Sequence, residues 1–418
     1  MNQFNNTFAF IPVASMITPV PAEQIAVNLQ EALSVMGGSR IKKEEISAAM
    51  PVVYVVLTGG TENEILNLHN ERKKAFPHEP LILAAHPSNN SLPAAVETLA
   101  RIKMEGGQGK IFYIDGPAGE KAFTELSRML TACIVYHQMV SAKIGLVGNP
   151  SDWLVASSPD PGSLKKTWGV TVDSIDISEL TEGVSSIPEE DIEQECLELV
   201  NNAADVIEPS PKELVDVVKV NAALKKIIAS RNVSAVSVRC FDLVTGLKTT
   251  GCFALSKLND EGITAGCEGD LVSTVGMLWI KNLTGRTVWM ANPARVNPED
   301  NTIVLAHCTV PVTMVEEYTL RSHFESGLGV GIQGSFKKDN VTLVRIGGKE
   351  LEKIWIAEGS IIRIGTEEDL CRTQVTIKLS LEYKSEDILN EPLGNHILMV
   401  TGKYAAPLRE YWDLFVKH

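Results

Sequence analysis

The stretch Pro51-Val-Val-Tyr-Val-Val-Leu57, which runs into the turn Thr58-Gly59-Gly60, decides the fold class of this chain. A continuous apolar run that stops at a glycine turn is typical of a strand buried on both faces of a parallel sheet. Two similar runs follow, at Leu81–Ala85 and at 110–114, each before a segment of helical length. This alternation predicts a doubly wound parallel sheet in an N-terminal α/β domain over residues 1–142.

Beyond residue 142 the pattern repeats and then changes. Lys143–Val147 and residues 168–172 (WGVTV) predict strands of a second α/β domain over 143–234, with a helix at 214–230. From Ala235 onward, short runs of valine, isoleucine and threonine alternate with glycine turns, apart from one helix near 271–282. This texture predicts a mainly antiparallel sheet or barrel over 235–418. The expected class is therefore α/β, with N-terminal doubly wound parallel-sheet domains followed by a β-rich C-terminal domain.

The composition excludes several classes of partner. Of the 418 residues, 44% are hydrophobic and 22% charged, and the net charge is -14. A surface of that sign repels nucleic acid and anionic lipid, so neither is expected as a partner, although one or two arginines could still bind a small anion. No apolar run reaches the roughly 18 residues that span a bilayer. The first residues lack the pattern of a secretory signal.

The cysteines indicate the expected compartment. All seven lie outside Cys-x-x-Cys pairs, and most lie inside apolar runs. An odd number of such cysteines is typical of reduced thiols in a cytoplasmic protein, rather than of disulfides or a structural zinc site. In addition, no G-x-G-x-x-G follows a predicted strand, which disfavours an NAD-dependent oxidoreductase.

Several polar residues border apolar runs in the C-terminal half, where strand ends would let them converge. They are Glu268, Asn292 twenty-four residues later, His307 and His396. Carboxylate and amide oxygens combined with imidazole suit Mn²⁺, Mg²⁺ or Co²⁺ better than a metal that prefers thiolates. If Glu268 and the nearby Asp270 are considered alone, an alternative to metal binding is that they are acidic residues in the first turn of a helix. The helix dipole stabilises such residues by about 0.3–1 kcal/mol each.

These segments also resemble a known family. Ala265-Gly-Cys-Glu268-Gly-Asp270 resembles the glutamate-bearing motif of the L-fucose and L-arabinose isomerases. Leu283-Thr-Gly-Arg-Thr-Val-Trp-Met-Ala-Asn292 resembles the fucose isomerase segment that ends in a metal-binding aspartate, and Gly394-Asn395-His396 resembles the segment with the histidine ligand. His307 stands where arabinose isomerases have an additional histidine ligand. The resemblance covers roughly residues 236–404 and is weak in the N-terminal half.

The resemblance implies a fucose isomerase-like fold and a metal-dependent aldose–ketose isomerase that works through a cis-enediol. The implied cofactor is a divalent ion, Mn²⁺ first with Mg²⁺ or Co²⁺ as alternatives. Glu268 is then the base that moves a proton between two carbons, beside a cation that polarises the carbonyl. The resemblance also implies a homo-oligomer with active sites at subunit interfaces. The implied ligands are Glu268, Asn292, His307 and His396.

Asn292 departs from the pattern of both isomerase families, which have a carboxylate at this position. An amide oxygen can bind a hard cation, but it cannot accept a proton at neutral pH. A second base would then have to be Asp270 or a hydroxide on the metal. The departure keeps open a catalytically inactive, sugar-binding homologue as the alternative function.

Substrate contacts are expected from two regions. Arg321, His323 and Gln333 form a polar stretch beside several glycines, and a guanidinium there could bind hydroxyls or an anionic C6 group. A solvated turn before a strand explains the same residues equally well. His86, Asn90 and Trp153 lie in loops after predicted strands and are candidates to complete a neighbouring subunit's site, although helix capping is an alternative for such loops.

The expected substrate is a hexose or deoxyhexose. The family resemblance includes isomerases of sulfoquinovose, a 6-sulfonated glucose, and the basic residues near 321 favour that branch, with 6-deoxy-6-sulfofructose as the product. Isomerases of L-fucose, L-arabinose or a related aldose are the alternatives.

Overall fold

A computed structural model describes residues 8–115 and 119–417 of the chain. The chain forms two compact units. The first unit comprises Met1–Gln138 together with Arg409–His418, and the second comprises Met139–Leu408.

The first unit contains a five-stranded parallel sheet with strand order β2-β1-β3-β4-β5. Its strands are β1 (Phe8–Val13), β2 (Gly38–Arg40), β3 (Val52–Val56), β4 (Leu81–Ala85) and β5 (Gly109–Tyr113). Its helices are α1 (Val27–Val35), α2 (Glu62–Lys73), α3 (Ser91–Met104) and the first part of α4 (Gly119–Ser141). Every residue of β3 and β4 is buried. The doubly wound parallel sheet predicted from the apolar runs is therefore confirmed.

Helix α2 carries a buried histidine, His69, of which 2% of the surface is exposed. Its ring meets that of Tyr54 edge to face, at 6.1 Å between centroids. Burial, together with the positive charge of Lys73, lowers the pKa of His69 to about 4. Histidine in an unfolded chain takes up its proton near pH 6.5. Between these two values the unfolded chain therefore binds more protons than the folded one.

We expect the folded state to lose up to about 3 kcal/mol of stability at His69 as the pH falls from about 6.5 to about 4. The sign follows because the unfolded state is stabilised by the proton that the buried ring does not accept. His69→Phe keeps an aromatic ring but cannot titrate, so it should lose less stability over this range. Urea unfolding at several pH values measures the difference. The same pH slope for both proteins would contradict the prediction.

The second unit begins with a four-stranded parallel sheet of order β10-β9-β6-β7. Its strands are β6 (Lys143–Val147), β7 (Thr171–Ile175), β9 (Ala235–Val238) and β10 (Thr264–Cys267). The helices around it are α5 (Pro161–Trp168), α6 (Ile177–Ser185), α7 (Glu193–Asn202), α8 (Pro211–Arg231), α9 (Cys240–Leu247), α10 (Cys252–Asp260) and α11 (Leu271–Thr284). The predicted helices at 214–230 and 271–282 correspond to α8 and α11.

The C-terminal part of the second unit is a closed antiparallel barrel of order β11-β12-β17-β16-β15-β18. The barrel strands are β11 (Trp289–Asn297), β12 (Thr302–His307), β15 (Asn340–Gly347), β16 (Lys353–Gly365), β17 (Thr373–Leu379) and β18 (Ile397–Thr401). A separate three-stranded sheet joins β8 (Asp205–Val206), β13 (Glu317–Arg321) and β14 (Gly331–Ser335). The last helices are α12 (Asp387–Asn390) and α13 (Ala405–Phe415). The predicted antiparallel β architecture is confirmed.

Two details differ from the sequence-based expectation. The start of the strand predicted at 168–172 is wrong, because Trp168 ends helix α5 and the strand begins only at Thr171. Asp160 caps that helix by accepting hydrogen bonds from two backbone N–H groups, and Gly169 ends it in a left-handed conformation. These two helix-end signals favour a helix up to Trp168 more strongly than the short apolar run favours a strand there. The barrel also begins only at Trp289, because residues 235–284 supply two parallel strands and three helices.

The predicted domain boundaries at residues 142 and 234 remain predictions. The four-stranded sheet takes β6 and β7 from before residue 235 and β9 and β10 from residue 235 onward, so one sheet contains strands from both sides of the second boundary. Among the described helices, none is both long and apolar enough to cross a membrane.

Candidate functional site

Glu268 lies directly after strand β10, at the carboxyl end of the four-stranded parallel sheet. Its backbone is left-handed, with φ of 63°, and only 8% of the residue is exposed. Gly269 also has positive φ, and a side chain there would come within 2.7 Å of the carbonyl oxygen of Asn149. A left-handed glutamate costs about 1–3 kcal/mol, and such strain concentrates at functional sites. The turn therefore holds the Glu268 carboxylate in a fixed place at the sheet edge.

Two histidines reach the same place from the barrel. His307 is the last residue of β12, and His396 immediately precedes β18. They are 4% and 0% exposed. His396 is also left-handed, with φ of 65°, and follows a turn at Gly394 in which a side chain would lie 2.5 Å from the guanidinium of Arg345. Tight turns thus position both Glu268 and His396.

Glu268, His307 and His396 form what we call the candidate metal centre. One ligand atom of each lies within 4.8 Å of the others. Two atoms bound to one cation are separated by up to about 4 Å, so small side-chain rotations would bring the three onto one ion. Nε2 of His396 is buried, makes no hydrogen bond of good geometry, and lies 3.4 Å from Oε1 of Glu268. An unpaired imidazole nitrogen beside a carboxylate and a second imidazole fits a divalent cation.

The charges of the centre are strongly coupled. Burial opposes protonation of His396, but the hydrogen bond with Asp270 and the nearby negative charges of Asp270 and Glu268 outweigh it and raise its pKa to about 9. Burial, together with the nearby His396, lowers the pKa of His307 to about 3. Burial also disfavours the charged form of Glu268, yet contacts with His396 and Trp153 keep the pKa of this carboxyl below its ordinary value. At neutral pH the site therefore offers the Glu268 carboxylate and the neutral His307 imidazole, and His396 releases its Nε2 proton when a cation binds.

Asp270 stands behind His396 and does not line the pocket in front of the centre. Its Oδ2 lies 2.8 Å from Nδ1 of His396 and accepts a hydrogen bond from the Ser273 hydroxyl, while its Oδ1 caps helix α11 through the backbone N–H of Ser273. The guanidinium of Arg345 lies 3.7 Å from Oδ2. Burial favours the neutral form of Asp270, but His396 and Arg345 hold its pKa below the ordinary value. This arrangement orients His396 with Nε2 toward Glu268.

Asn292 and Trp153 contact the centre from two sides. Asn292 is half-buried in β11, lines the same pocket as Glu268 and His307, and its Oδ1 accepts a hydrogen bond of 2.8 Å from the amide of Asn395. Trp153 donates its indole N–H to Oε2 of Glu268 at 2.5 Å. The sequence singled out both residues, and the structure brings both beside the centre.

The basic residues predicted near the substrate have different positions. His323 is 9% exposed and lines the pocket of the metal centre, where burial lowers its pKa. Arg321, on β13, is paired with Glu208 at 2.7 Å and donates to Oε1 of Gln333 at 2.7 Å. Neither Arg321 nor Gln333 lines that pocket. The positive charge of Arg321 is thus largely compensated by Glu208, which lies just after strand β8.

His86 and Asn90 belong to the first unit. His86 is buried, with Nε2 3.1 Å from the carbonyl of Leu57, and its Nδ1 accepts from the backbone N–H of Ser88. Asn90 lines an open cavity at the ends of β1, β3 and β4 and has a left-handed backbone. Their predicted role in a neighbouring subunit's site remains a prediction.

Sequence reasoning missed Arg345 and four cysteines. Arg345 is buried on β15 and donates to the hydroxyls of Ser273 and Ser157 and to the carbonyl of His396. An arginine alone in the apolar run VTLVRIG was a signal that could have been read, because a buried guanidinium requires partners. These four, Cys240, Cys252, Cys308 and Cys371, had no distinguishing sequence pattern, and they line the pocket together with Cys267 of the glutamate-bearing segment.

The family model of the L-arabinose isomerase central domain matches residues 160–285. A sulfoquinovose isomerase of Clostridium sp. (strain MSTE9) is 28% identical over 232 residues, which are 55% of this chain and 52% of that protein. The sulfoquinovose isomerases of Alkalicoccus urumqiensis and Priestia aryabhattai are 23% and 22% identical to this chain. The matched regions cover 72% and 71% of this chain, and 70% and 68% of the two relatives.

The chain is thus similar to the L-arabinose isomerase central domain over residues 160–285. Over a wider region it is similar to proteins that bear the name sulfoquinovose isomerase. The matched region spans about half of the Clostridium protein and just over two thirds of the other two.

Proposed function

We propose that this protein is a divalent-metal-dependent aldose–ketose isomerase that converts a hexose or deoxyhexose through a cis-enediol. The observation that carries the proposal is the candidate metal centre, in which three ligand atoms lie within 4.8 Å of one another and Nε2 of His396 faces the Glu268 carboxylate at 3.4 Å. The isomerase matches support the same conclusion from independent evidence.

The metal would be held by Glu268, His307 and His396, with the Asn292 amide oxygen as a further ligand. Mn²⁺ is our first choice, and Mg²⁺ and Co²⁺ suit the same donors. When bound, the cation supplies Lewis-acid polarisation of the sugar carbonyl and stabilises negative charge that develops on its oxygen. The mixed oxygen and nitrogen donors, without a thiolate among them, support this choice.

Glu268 is proposed to move a proton between C1 and C2 of the sugar. Its lowered pKa keeps the carboxyl ionised at neutral pH, so it can accept a proton. Trp153 fixes one carboxylate oxygen through its indole N–H. Asp270 is fully buried and hydrogen-bonded to His396 and Ser273, so its contacts favour a positioning role over that of second base.

The substrate is proposed to be sulfoquinovose, with 6-deoxy-6-sulfofructose as product, because the relatives bear that name. Within the described residues, the pocket lining contains no lysine or arginine, and His323, whose pKa is lowered by burial, offers an imidazole N–H rather than a positive charge. A sulfonate would therefore contact His323 or a residue of a neighbouring subunit. The homo-oligomer, the interface sites and the cytoplasmic location remain predictions.

The test is a screen of sulfoquinovose, L-fucose and L-arabinose with the full chain and Mn²⁺, followed by NMR in deuterated water. We expect ketose formation, with deuterium at C1 of the ketose and at C2 of the recovered aldose, because the enediol route exchanges the transferred proton with solvent. Conversion with complete retention of the C2 hydrogen would indicate hydride transfer instead. Binding of a sugar without any ketose would favour the inactive, sugar-binding alternative that Asn292 leaves open.

Metal binding gives a separate prediction. We expect the full chain to bind Mn²⁺ at the centre and His307→Gln to weaken that binding by more than about tenfold, because a neutral imidazole ligand is lost. His323→Gln is the matched control, since it changes another buried histidine of the same pocket that lies outside the ligand cluster. Electron paramagnetic resonance of free Mn²⁺ measures the Mn²⁺ affinity of each variant. Equal losses of affinity in the two variants would contradict the assignment of His307.

A further inference from the structure

Thiols form much of the wall of the pocket in front of the candidate metal centre. Five of the seven cysteines of the chain line it. They are Cys240, Cys252, Cys267, Cys308 and Cys371. None of the five takes part in the ligand cluster. The sugar isomerisation proposed above uses no thiol, so this concentration of sulfur needs a separate explanation.

Two of these thiols, Cys240 and Cys267, are in direct contact. Cys267 donates its S–H to Sγ of Cys240 across 3.3 Å. The contact arises from the sheet, because β9 and β10 pair in parallel with Val238 opposite Cys267, and Cys240 follows two residues after Val238. Each residue is 5% exposed, and each faces the pocket. A disulfide bond is about 2.05 Å long, so the sulfurs would have to approach by little more than about 1 Å.

We propose that Cys240 and Cys267 are a site of reversible oxidative modification, at which hydrogen peroxide converts the thiol pair into a disulfide in the pocket wall. The sulfur of Cys240 attacks one peroxide oxygen, the O–O bond breaks, and the leaving hydroxide departs as water with the thiol proton. This step leaves a sulfenic acid. The sulfur of Cys267 then attacks the Cys240 sulfur, the S–O bond breaks, and a second water leaves with the Cys267 proton.

The two steps balance. The thiol pair loses two electrons and two protons, and hydrogen peroxide is reduced to two molecules of water. The assignment of Cys240 as the first nucleophile follows from the contact itself, since its sulfur accepts the hydrogen bond that Cys267 donates. A small dithiol reverses the reaction by exchange.

The disulfide has a consequence at the metal centre, and this part rests on the proposed function. Cys267 immediately precedes Glu268, whose left-handed backbone sets the direction of its carboxylate. Drawing Cys267 toward Cys240 displaces this turn. The oxidised chain should therefore bind Mn²⁺ about tenfold or more weakly than the reduced chain, an effect of the size seen when the support of a ligand is disturbed.

The experiment treats the full chain with hydrogen peroxide, blocks the remaining thiols by alkylation, and maps the cross-links by mass spectrometry of the peptides. We expect a Cys240–Cys267 disulfide that a dithiol removes. Cys240→Ser should abolish that cross-link, whereas the control Cys196→Ser, which removes a half-exposed thiol on α7, should not. Because the cross-link is read in the wild-type chain, the test does not depend on the variants folding.

Several outcomes would overturn the proposal. These are peroxide treatment that leaves both thiols free, a cross-link that joins Cys308 to Cys371 instead, or oxidation of Cys240 that a dithiol cannot reverse. A Cys240–Cys267 disulfide with unchanged Mn²⁺ affinity would support the modification site and refute its link to the metal centre. Absence of Mn²⁺ binding even in the reduced chain would instead count against the proposed function.

Discussion

Glu268→Gln is expected to lower the turnover of the isomerase reaction by about a thousandfold. The side chain keeps its size, but it loses the negative charge that binds a cation and the ability to accept a proton at neutral pH. General-base catalysis alone contributes about 10²–10⁴-fold, and removal of a ligand charge adds to the loss. The measurement is ketose formation under saturating sugar and Mn²⁺, once a substrate has been found in the screen described above.

The matched control is Trp153→Phe. It removes the hydrogen bond to Oε2 of Glu268 but leaves the carboxylate and its charge. A loss of about ten- to a hundredfold is expected for this supporting contact. If Glu268→Gln were no slower than Trp153→Phe while both retained the wild-type unfolding curve, Glu268 could not be the base.

Glu79→Gln is expected to destabilise the first unit by about 3–5 kcal/mol. Glu79 and Arg72 are 4% and 1% exposed, and they form a two-pronged ion pair with distances of 2.9 Å and 2.7 Å. Removing one charge of a buried pair leaves the other uncompensated in a low-dielectric interior. His137 also contacts Glu79, with its Nε2 2.9 Å from the carboxylate. The variant therefore disturbs three buried polar groups.

The free energy of unfolding of the full chain, measured in urea, tests this. The matched control is Glu105→Gln, which breaks the exposed pair with Arg101 in the same unit. Exposed pairs contribute about 0–1 kcal/mol, so this change should have little effect. Similar losses for Glu79→Gln and Glu105→Gln would mean that burial of the Arg72 pair does not matter for stability.

The buried pair also shows why part of the fold could not be predicted from residue pattern. Arg72 donates to the carbonyl oxygens of Ile46, Ala48 and Met50 as well as to Glu79. It thereby satisfies the backbone of the segment that leads into β3. In the sequence, Arg72 stands in a helix rich in charged residues and is indistinguishable from its exposed neighbours. Only the packing of α2 against that segment removes it from water.

The candidate metal centre, too, could be predicted only in part from the sequence. Glu268, Asn292, His307 and His396 could be selected in advance because each borders an apolar run and because the segments around them resemble a family. The role of Asp270 could not be separated from that of Glu268, since both are acids two residues apart. In the fold, one points into the pocket and the other caps α11 behind His396. That difference depends on the left-handed turn at 268–269.

The prediction of an anion site at Arg321 shows what the residue pattern could not reveal. A guanidinium beside glycines suggested an anion site, but Glu208, which is 113 residues away in sequence, pairs with Arg321 in the folded chain. Long-range ion pairs of this kind leave no periodic signal in the sequence. The same applies to the Cys240–Cys267 contact, which arises because two parallel strands bring residues of distant sequence positions side by side.

The sequence by itself determined the parallel sheets, the antiparallel barrel and the residue types available for a metal, because buried strands need apolar runs and hard cations need oxygen and imidazole donors. Only the tertiary structure decided which acid faces the pocket, which positively charged side chain is already paired with an acid, and which thiols are in contact. The reason is physical: hydrophobic periodicity is local along the chain, whereas charge pairing, desolvation and sulfur contact depend on distances between elements that the chain order does not specify.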